Sequence, residues 1–300
     1  MRFRRLDLNL IIYLDALLTE NSVSRAAERV NISQSAMSDA LARLRSYFQD
    51  HLLVQVGREM VPTPLALSMK GSIRNVLLQV ESVVSSALEF DAKTSTRRFR
   101  FLASDYVTDV LLAGLLLRLE RVAPYITFDV RSFGGRFMED FEQGDLDLLF
   151  TPKGYATDRH PTVTLFQESF VCVAWKGMRL GGELTTDQFE SMGHICVSLG
   201  DTRTSTYDEW FMKHRGETRH VAVTVPSFRV AFEFLTGSSR LLTCHRRHAL
   251  KFAHQYELEI LRPPFTIPPI DLQMQWHRYT ENDPGLAWIR NEVLQFAKSI

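Results

Sequence analysis

Over the first ninety positions apolar residues recur at three- and four-residue steps. From about residue 98 they gather into short β-branched and aromatic runs separated by amphipathic stretches. The first texture predicts helices, the second strands alternating with helices. Leu6, Leu8, Leu10, Ile11, Leu14, Leu17 and Leu18 form one apolar stripe and mark a first helix. Asn21–Ser22 stops it, and Ser22 can cap a second helix, Val23–Val30. Ala26 and Ala27 sit mid-helix, where small side chains let a neighbouring helix come close. The turn Asn31-Ile32 follows. Ser33 then caps a third helix to about Phe48, with Ala36, Met37, Leu41, Leu44 and Phe48 on its buried face. Two short helices, a tight turn and a longer, polar-fronted helix make a helix-turn-helix.

Leu52 to Thr63 reads as two short strands around Gly57-Arg58, a wing. Thr63-Pro64 opens a long helix to about Phe90, with Ile73, Val76, Leu77, Val80, Val83, Val84 and Leu88 on one stripe. A long helix remote from a core of its own suggests pairing with a second copy; packing on its own chain is the alternative. The polar segment Asp91–Arg97 separates the two textures as a hinge. Strand-like runs follow at Phe99–Ala103, Ile126–Phe133, Leu146–Thr151, Val163–Val173, His194–Leu199, Val221–Val225 and Leu241–Thr243. Helical stretches lie near 106–121, 136–143, 185–192, 205–215, 228–236 and 284–298. Such alternation predicts mainly parallel sheets flanked by helices. The expected architecture is α/β: a winged helix-turn-helix (1–63), a linker and dimerisation helix (64–90), and an α/β domain (91–300), which a family resemblance carried by the first 66 residues implies to be a two-lobed effector domain like a periplasmic binding protein. Lobe I is expected over about 98–161 plus 268–300, and lobe II over about 162–267.

Composition changes this picture little. Thirty-five basic residues balance thirty-five acidic ones, but residues 2–74 carry a net charge of about +3 and the rest about −3. That is a weak hint of a polyanion partner and no more. Cys172, Cys196 and Cys244 are odd in number and include no CxxC pair, which argues against a disulfide framework and fits a reducing cytoplasm. The N-terminus has no signal-peptide pattern, and no stretch is apolar enough for a membrane span. A cytoplasmic protein without membrane contact is expected.

The helix-turn-helix implies chemistry. The N-terminal part of its second helix enters the major groove of double-stranded DNA. Gln34, Ser35, Ser38 and Asp39 lie on those first turns, behind Ser33. Gln34 can pair bidentately with adenine, and the serines can meet base edges or phosphates. Arg43 and Arg45, further along, suit the DNA backbone, Arg58 at the wing tip suits a minor groove or a phosphate, and Ser33 and Thr63 complete the set of DNA-binding candidates. The stretch from Leu6 to Ala66 resembles the DNA-binding domain of the LysR-type transcriptional regulators, and more narrowly the NodD/NahR-like branch, which answers flavonoids or small aromatic compounds. The resemblance rests on Ser22, Ala26, Ala27, Ser33, Gln34, Ala36, Ser38, Leu41, Leu44, Arg45, Thr63 and Pro64. Ser35 stands where the family usually has proline, a residue suited to a first helical turn. The resemblance implies a homodimer or homotetramer on an inverted-repeat operator, with RNA polymerase as a further contact.

Ligands of open α/β sheets sit at the carboxyl ends of strands. That rule selects Ser104-Asp105, Phe133-Gly134, Thr202-Arg203-Thr204, Phe228, His245 and Trp276. Segments 144–150, 170–177, 225–235 and 276–290 continue the resemblance, which also implies an effector held between lobes and contacted by Arg247. Arg247 could pair bidentately with a carboxylate or phenolate. His245 replaces a usual proline and could hydrogen-bond a phenol, halogenated or not. The reading is thus an activator of an aromatic-compound catabolic operon, with a flavonoid-responsive nodulation-type regulator as the alternative. A solute-binding protein and an enzyme are the rival classes. No nucleotide-binding, zinc-protease or serine-hydrolase motif occurs. His245 and His248 lie amid Arg246 and Arg247, a poor place for a cation, so no cofactor, metal or catalytic residue is expected. Glu139, Asp140, Glu142, Asp145 and Asp147 read as a solvated face.

Overall fold

The computed structural model describes residues 7–86, 89–200, 204–205 and 219–300. The chain divides into two compact units, Met1–Leu88 with Glu142–Gly144, and Glu89–Phe141 with Asp145–Ile300.

In the first unit α1 (Asn9–Glu20), α2 (Val23–Arg29) and α3 (Gln34–Phe48) pack around Leu10, Leu14, Leu17, Leu18, Ala26, Ala27, Met37, Leu41 and Leu44. The punctuation works as the residue types require. Asn21 and Asn31 take left-handed backbone conformations at the two turns (φ 47° and 55°), which asparagine tolerates better than most residues. Ser22 and Ser33 accept hydrogen bonds from the backbone N–H groups of Arg25 and Ala36. Ala26 and Ala27 are almost wholly buried, so a larger side chain at either would push the helices apart. Ala36 is exposed, not on the buried face: one position before Met37, it turns outward with the first turn of α3. Strands β1 (Leu53–Val56) and β2 (Glu59–Pro62) pair antiparallel, with Val56 opposite Glu59 across the two-residue turn Gly57-Arg58. Gly57 has φ +65°, a conformation such a hairpin turn demands and glycine adopts freely. Helix α4 (Pro64–Ser86) follows. It carries Val76, Val80, Val83 and Val84 on its exposed surface.

The second unit holds two sheets. The lobe I sheet has the order β4 (Thr127–Arg131), β3 (Arg98–Leu102), β5 (Leu148–Pro152), β13 (Ile270–Gln275), β6 (Thr162–Glu168). The lobe II sheet has the order β10 (Val221–Val225), β8 (Gly193–Leu199), β11 (Arg240–His245), β7 (Phe170–Trp175), β12 (Leu258–Leu261), with β9 (Thr204–Ser205) beside β8. β3 runs parallel to β4 and β5, and β8 parallel to β10 and β11; β13, β7 and β12 pair antiparallel with their neighbours. The two sheets are therefore mixed, as expected only in part. The strand-like stretch 163–173 is two strands, not one. Glu168 pairs with Ile270 in lobe I, and Phe170 pairs with His245 in lobe II, so the chain changes lobes at Ser169. Residues 162–168 thus belong to lobe I, which moves the expected boundary. One apolar cluster runs through both lobes, from Phe99, Phe101 and Leu148 to Val173, Ile195 and Phe232.

Helices flank these sheets: α5 (Asp105–Val107), α6 (Ala113–Val122), α7 (Phe137–Glu142), α8 (Thr186–Ser191), α9 (Phe228–Leu235), α10 (Arg246–Phe252) and α11 (Pro284–Ala297). Between α5 and α6, Thr108–Leu112 forms a wide π-type turn, a feature that often marks functional sites. Helix α10 is absent from the sequence-based pattern, where Arg246 and Arg247 read as a strand end. Of the stretch expected to be helical at 205–215, Ser205 lies in β9 and residues 206–215 lie outside the described residues.

Candidate nucleic-acid interface and ligand cavity

Gln34, Ser35, Ser38 and Asp39 are exposed on the first turns of α3, so none is held in the core. Ser33 is used differently from its neighbours. Its Oγ takes the Ala36 N–H at 3.1 Å and lies 3.0 Å from Ser35 Oγ, so it serves first as the helix cap. Arg58 is exposed at the wing tip. Arg43 is exposed 3.4 Å from the carboxylate of Asp7.

Two other candidates are braces. Arg45 donates through Nε to the His51 carbonyl and through Nη2 to the Leu53 carbonyl, both at 2.8 Å, tying α3 to the root of the wing. Its expected place on the DNA backbone is corrected accordingly: the guanidinium faces its own chain. Thr63 donates to Asp50 Oδ1 at 2.7 Å and accepts from the Ala66 N–H at 3.2 Å, capping α4. The Thr63 hydroxyl, followed by the Leu52 N–H, holds the Asp50 carboxyl below its ordinary range. Thr63→Ala should cost about 1 kcal/mol through the lost cap, read as a lower urea midpoint, whereas Thr63→Ser should cost less than half of that. Equal losses for the two would show that the hydroxyl is not what matters.

In the second unit a cavity opens between the lobes, with about 740 Å³ of space free of atoms, open solvent at its mouth included. Its walls come mainly from the carboxyl ends of strands in both sheets, joined by the amino-terminal half of β13. Lobe I supplies Ser104, Tyr106 and Val107 after β3, Phe133 and Phe137 after β4, Phe150, Thr151 and Pro152 on β5, Tyr155, and Ile270 and Leu272 on β13. Lobe II supplies Leu199 at the end of β8, Phe228 after β10 and His245 at the end of β11. The wall is mainly aromatic and aliphatic, with a few polar groups, the pattern of a small-molecule site. No lysine or arginine lines it among the described residues. A second, more polar hollow adjoins it, sharing Ser104, Phe133 and Leu199 and adding Asp105, Ser132, Gly200 and Ser227. There the backbone of Gly200 (φ +71°) passes so close to Phe133 that a Cβ on it would lie 2.9 Å from the Phe133 carbonyl oxygen.

Two buried polar clusters stand behind these walls. In the first, Tyr106 donates its hydroxyl to Glu168 Oε2 at 2.6 Å, Arg247 Nη1 lies 3.2 Å from the same oxygen, and Glu168 Oε1 takes the Ser169 N–H. Burial, reinforced by the Glu168 charge, raises the Tyr106 phenol well above its ordinary pKa. In the second, Asp109 on the π-turn accepts from Arg229 Nε at 2.8 Å and also pairs with Arg229 Nη2, while His248 Nε2 lies 3.0 Å from its Oδ2. Burial works to raise the Asp109 pKa, but hydrogen bonds from His248 and Arg229 and their charges outweigh it and lower it. Lys251 donates to the Asp109 carbonyl, so four residues clasp lobe II to lobe I. Asp105 goes the other way. Burial raises its pKa despite the Arg229 N–H on Oδ2 at 2.9 Å, and Oδ1 is sealed without a partner.

Residues 8–67 match the bacterial regulatory helix-turn-helix proteins of the lysR family, and residues 92–298 match the LysR substrate-binding domain. The chain belongs to the LysR family of bacterial transcriptional regulators. Nodulation protein D 2 of Rhizobium tropici is 39% identical over 298 residues, 99% of this chain and 95% of that protein. Nodulation protein D 1 of a Bradyrhizobium strain, NC92, is 37% identical over 100% of this chain and 96% of that protein. Among solved structures, a probable transcriptional regulator of Pseudomonas aeruginosa superposes with a TM-score of 0.66 at 28% identity, covering 98% of each chain. A variant of full-length OxyR from the same organism gives a TM-score of 0.75 over 98% of this chain and 95% of its own. At 15% identity that second likeness speaks for the fold alone.

This LysR-type protein is a transcriptional regulator, not an enzyme. No helix among its described residues is long and apolar enough to cross a membrane. Of the candidates for the ligand, Ser104, Phe133, Phe228 and His245 meet at the cavity, and Asp105 lies in the adjoining hollow. Gly134 lies beside it, against Gly200. Two others are placed elsewhere. Arg247 is held by Glu168, by the Gln167 carbonyl at 2.8 Å and over the Phe166 ring, so its proposed carboxylate is one of its own chain. Trp276 is partly buried beneath the Arg290 guanidinium, 4.7 Å from it, and takes no part in the cavity wall. Thr202 and Arg203 lie outside the described residues; Thr204 is described only as backbone paired with Leu199. Asp147 is not on a solvated face, since its Oδ2 takes the Arg100 N–H at 2.7 Å and burial raises its pKa. Sequence reasoning missed Tyr106, Phe150, Thr151, Tyr155, Ile270 and Leu272. The first follows Asp105 by one position and was within reach of the strand-end rule. Ile270 and Leu272 lie on an antiparallel strand that the rule does not cover.

Proposed function

We propose that this protein is a cytoplasmic LysR-type activator that binds an inverted-repeat operator as a homodimer or homotetramer and answers an uncharged, multi-ring phenolic effector of the flavonoid kind. The observation carrying the effector class is the cavity: its walls are mainly aromatic and aliphatic, and no lysine or arginine lines it among the described residues. Among the described residues a benzoate or salicylate would find no counter-charge on the wall, because Arg247 is engaged by Glu168. The nodulation proteins at 37–39% identity over nearly the whole chain favour the same branch over a catabolic regulator. Activation through contact with RNA polymerase completes the proposal.

Thermal shift of the full chain tests it, with 7-hydroxyflavanone, 4-chlorophenol, hydroquinone and salicylate as probes. At a hundred times its dissociation constant a ligand stabilises by about 2.7 kcal/mol. A shift with the flavanone alone supports the reading; a shift confined to salicylate or the single-ring phenols would replace it with the catabolic one.

The exposed valines of α4 support self-association. Val76, Val80, Val83 and Val84 lie on one helical stripe that a second copy would cover. The double substitution Val80→Glu, Val83→Glu should convert a dimer or tetramer to smaller species in sedimentation velocity. An unchanged sedimentation coefficient would place the self-contact elsewhere.

A further inference from the structure

The ring of His245 lies flat on Tyr106, centroids 3.8 Å apart and planes within 10°, and packs against Phe228 and Phe170 at 4.9 and 5.1 Å. The residue is 8% exposed. Its Nδ1 is sealed from solvent and has no hydrogen-bond partner. Its Nε2 has no partner among the described residues and is not one of the sealed atoms, and the residue lines the cavity, so this is the polar edge of the ring left for a ligand. Burial, and then the nearby His248, hold the imidazole far on the neutral side. A neutral imidazole has one N–H. Placing it on Nδ1 would strand a buried donor, which proteins avoid more strictly than a stranded acceptor. The proton therefore belongs on Nε2.

Among the described wall residues of lobe II, Leu199, Phe228 and His245, this N–H is the one side-chain donor; the hydroxyls of Ser104, Tyr106, Thr151 and Tyr155 belong to lobe I. The Tyr106 hydroxyl is given to Glu168, and Ser104 Oγ accepts from the Val107 N–H at 3.4 Å. We propose that His245 is the specificity-determining residue of the cavity, its Nε2–H meeting an acceptor oxygen, such as a ring carbonyl, on an uncharged aromatic ligand stacked among Tyr106, Phe228 and Phe133. This rests on the reading of the cavity as the effector site, and it names the ligand group recognised there. A ligand without the acceptor leaves the buried N–H unmatched, which disfavours it beyond the loss of one contact.

The test uses two probes that differ only in the ring carbonyl, 7-hydroxyflavanone and 7-hydroxyflavan. Their affinities for the full chain are measured by quenching of tryptophan fluorescence. The wild-type protein should prefer the flavanone by about ten-fold, the worth of one hydrogen bond. His245→Phe, which keeps a ring against Tyr106, should bring the ratio to about one. His245→Gln, which keeps a donor, should retain part of the preference and serves alone if the phenylalanine variant does not fold. Equal binding of the two probes by the wild type, or an unchanged preference in His245→Phe, would overturn the assignment and leave the aromatic effector standing. Binding of neither probe to the wild type would overturn both.

Discussion

Asp109→Ala should lower the melting temperature of the full chain by roughly 6–12 °C at pH 7, the shift that about 3 kcal/mol produces in a unit of this size. The size follows from what stays behind. His248 is wholly buried, and without the carboxylate its Nε2 loses the oxygen 3.0 Å away. Arg229 loses a two-pronged partner, but it is more than half exposed and can return to water, so it adds less. Removing one member of a buried pair costs more than the pair itself contributes. Asp109→Asn, which keeps an oxygen for one partner, should lose about half as much. The pH dependence has a definite sign. The Asp109 pKa is lowered on folding, so its contribution is complete above the unfolded carboxyl value, about 4, and disappears as pH falls through the lower folded value. The gap between wild type and Asp109→Ala should accordingly narrow below pH 4. A gap under 2 °C at pH 7, or one that widens in acid, would remove the clasp from the account of stability.

Gln34→Ala should reduce affinity for the cognate operator about ten- to a hundred-fold per half-site while leaving affinity for scrambled DNA nearly unchanged. That range is the discrimination carried by one bidentate contact to a base. Gln34 is exposed at the first position of α3, directly after its cap, where a major-groove helix presents side chains to bases. Arg58→Ala should behave differently, weakening both DNAs alike and reducing the slope of log K against log salt by about 0.9. Fluorescence anisotropy at three salt concentrations, with an operator selected from random duplexes, separates the two. Should Gln34→Ala weaken operator and scrambled DNA equally, its contact is with the backbone.

The helix-turn-helix was legible almost residue by residue because its information is local. Asn21, Ser22, Asn31 and Ser33 announce the turns within four residues of where they act, and the alanines declare the helix crossing. The effector domain was legible in texture but not in pairing. Nothing near Glu168 says that it faces Tyr106 and Arg247, 62 and 79 positions away. The passage from one sheet to the other within 163–173 falls at the polar break Gln167-Glu168-Ser169, but nothing in it says which sheet each half joins, because hydrophobicity records burial and not the identity of the neighbour. Arg45 and Thr63 were misplaced for a related reason. A basic or hydroxylated side chain near a DNA-binding helix looks available until its carbonyl or carboxylate partner is known.

The crossing at Ser169 also bears on how such a protein could be rebuilt by recombination. Lobe II enters at Phe170 and leaves after Leu261, and the strands containing these residues, β7 and β12, lie side by side. In lobe I, Glu168 and Ile270 face one another as if they closed an ordinary hairpin. By connectivity, then, the second lobe is a single insertion that a gene fusion could exchange as a cassette. The shared apolar cluster forbids a free exchange, since Phe101 and Leu148 of the host and Val173 and Ile195 of the insert belong to one interior. Chimaeras between relatives joined at 169 and 262 should fold only when the donor cassette brings side chains that complete the host's half of that interior.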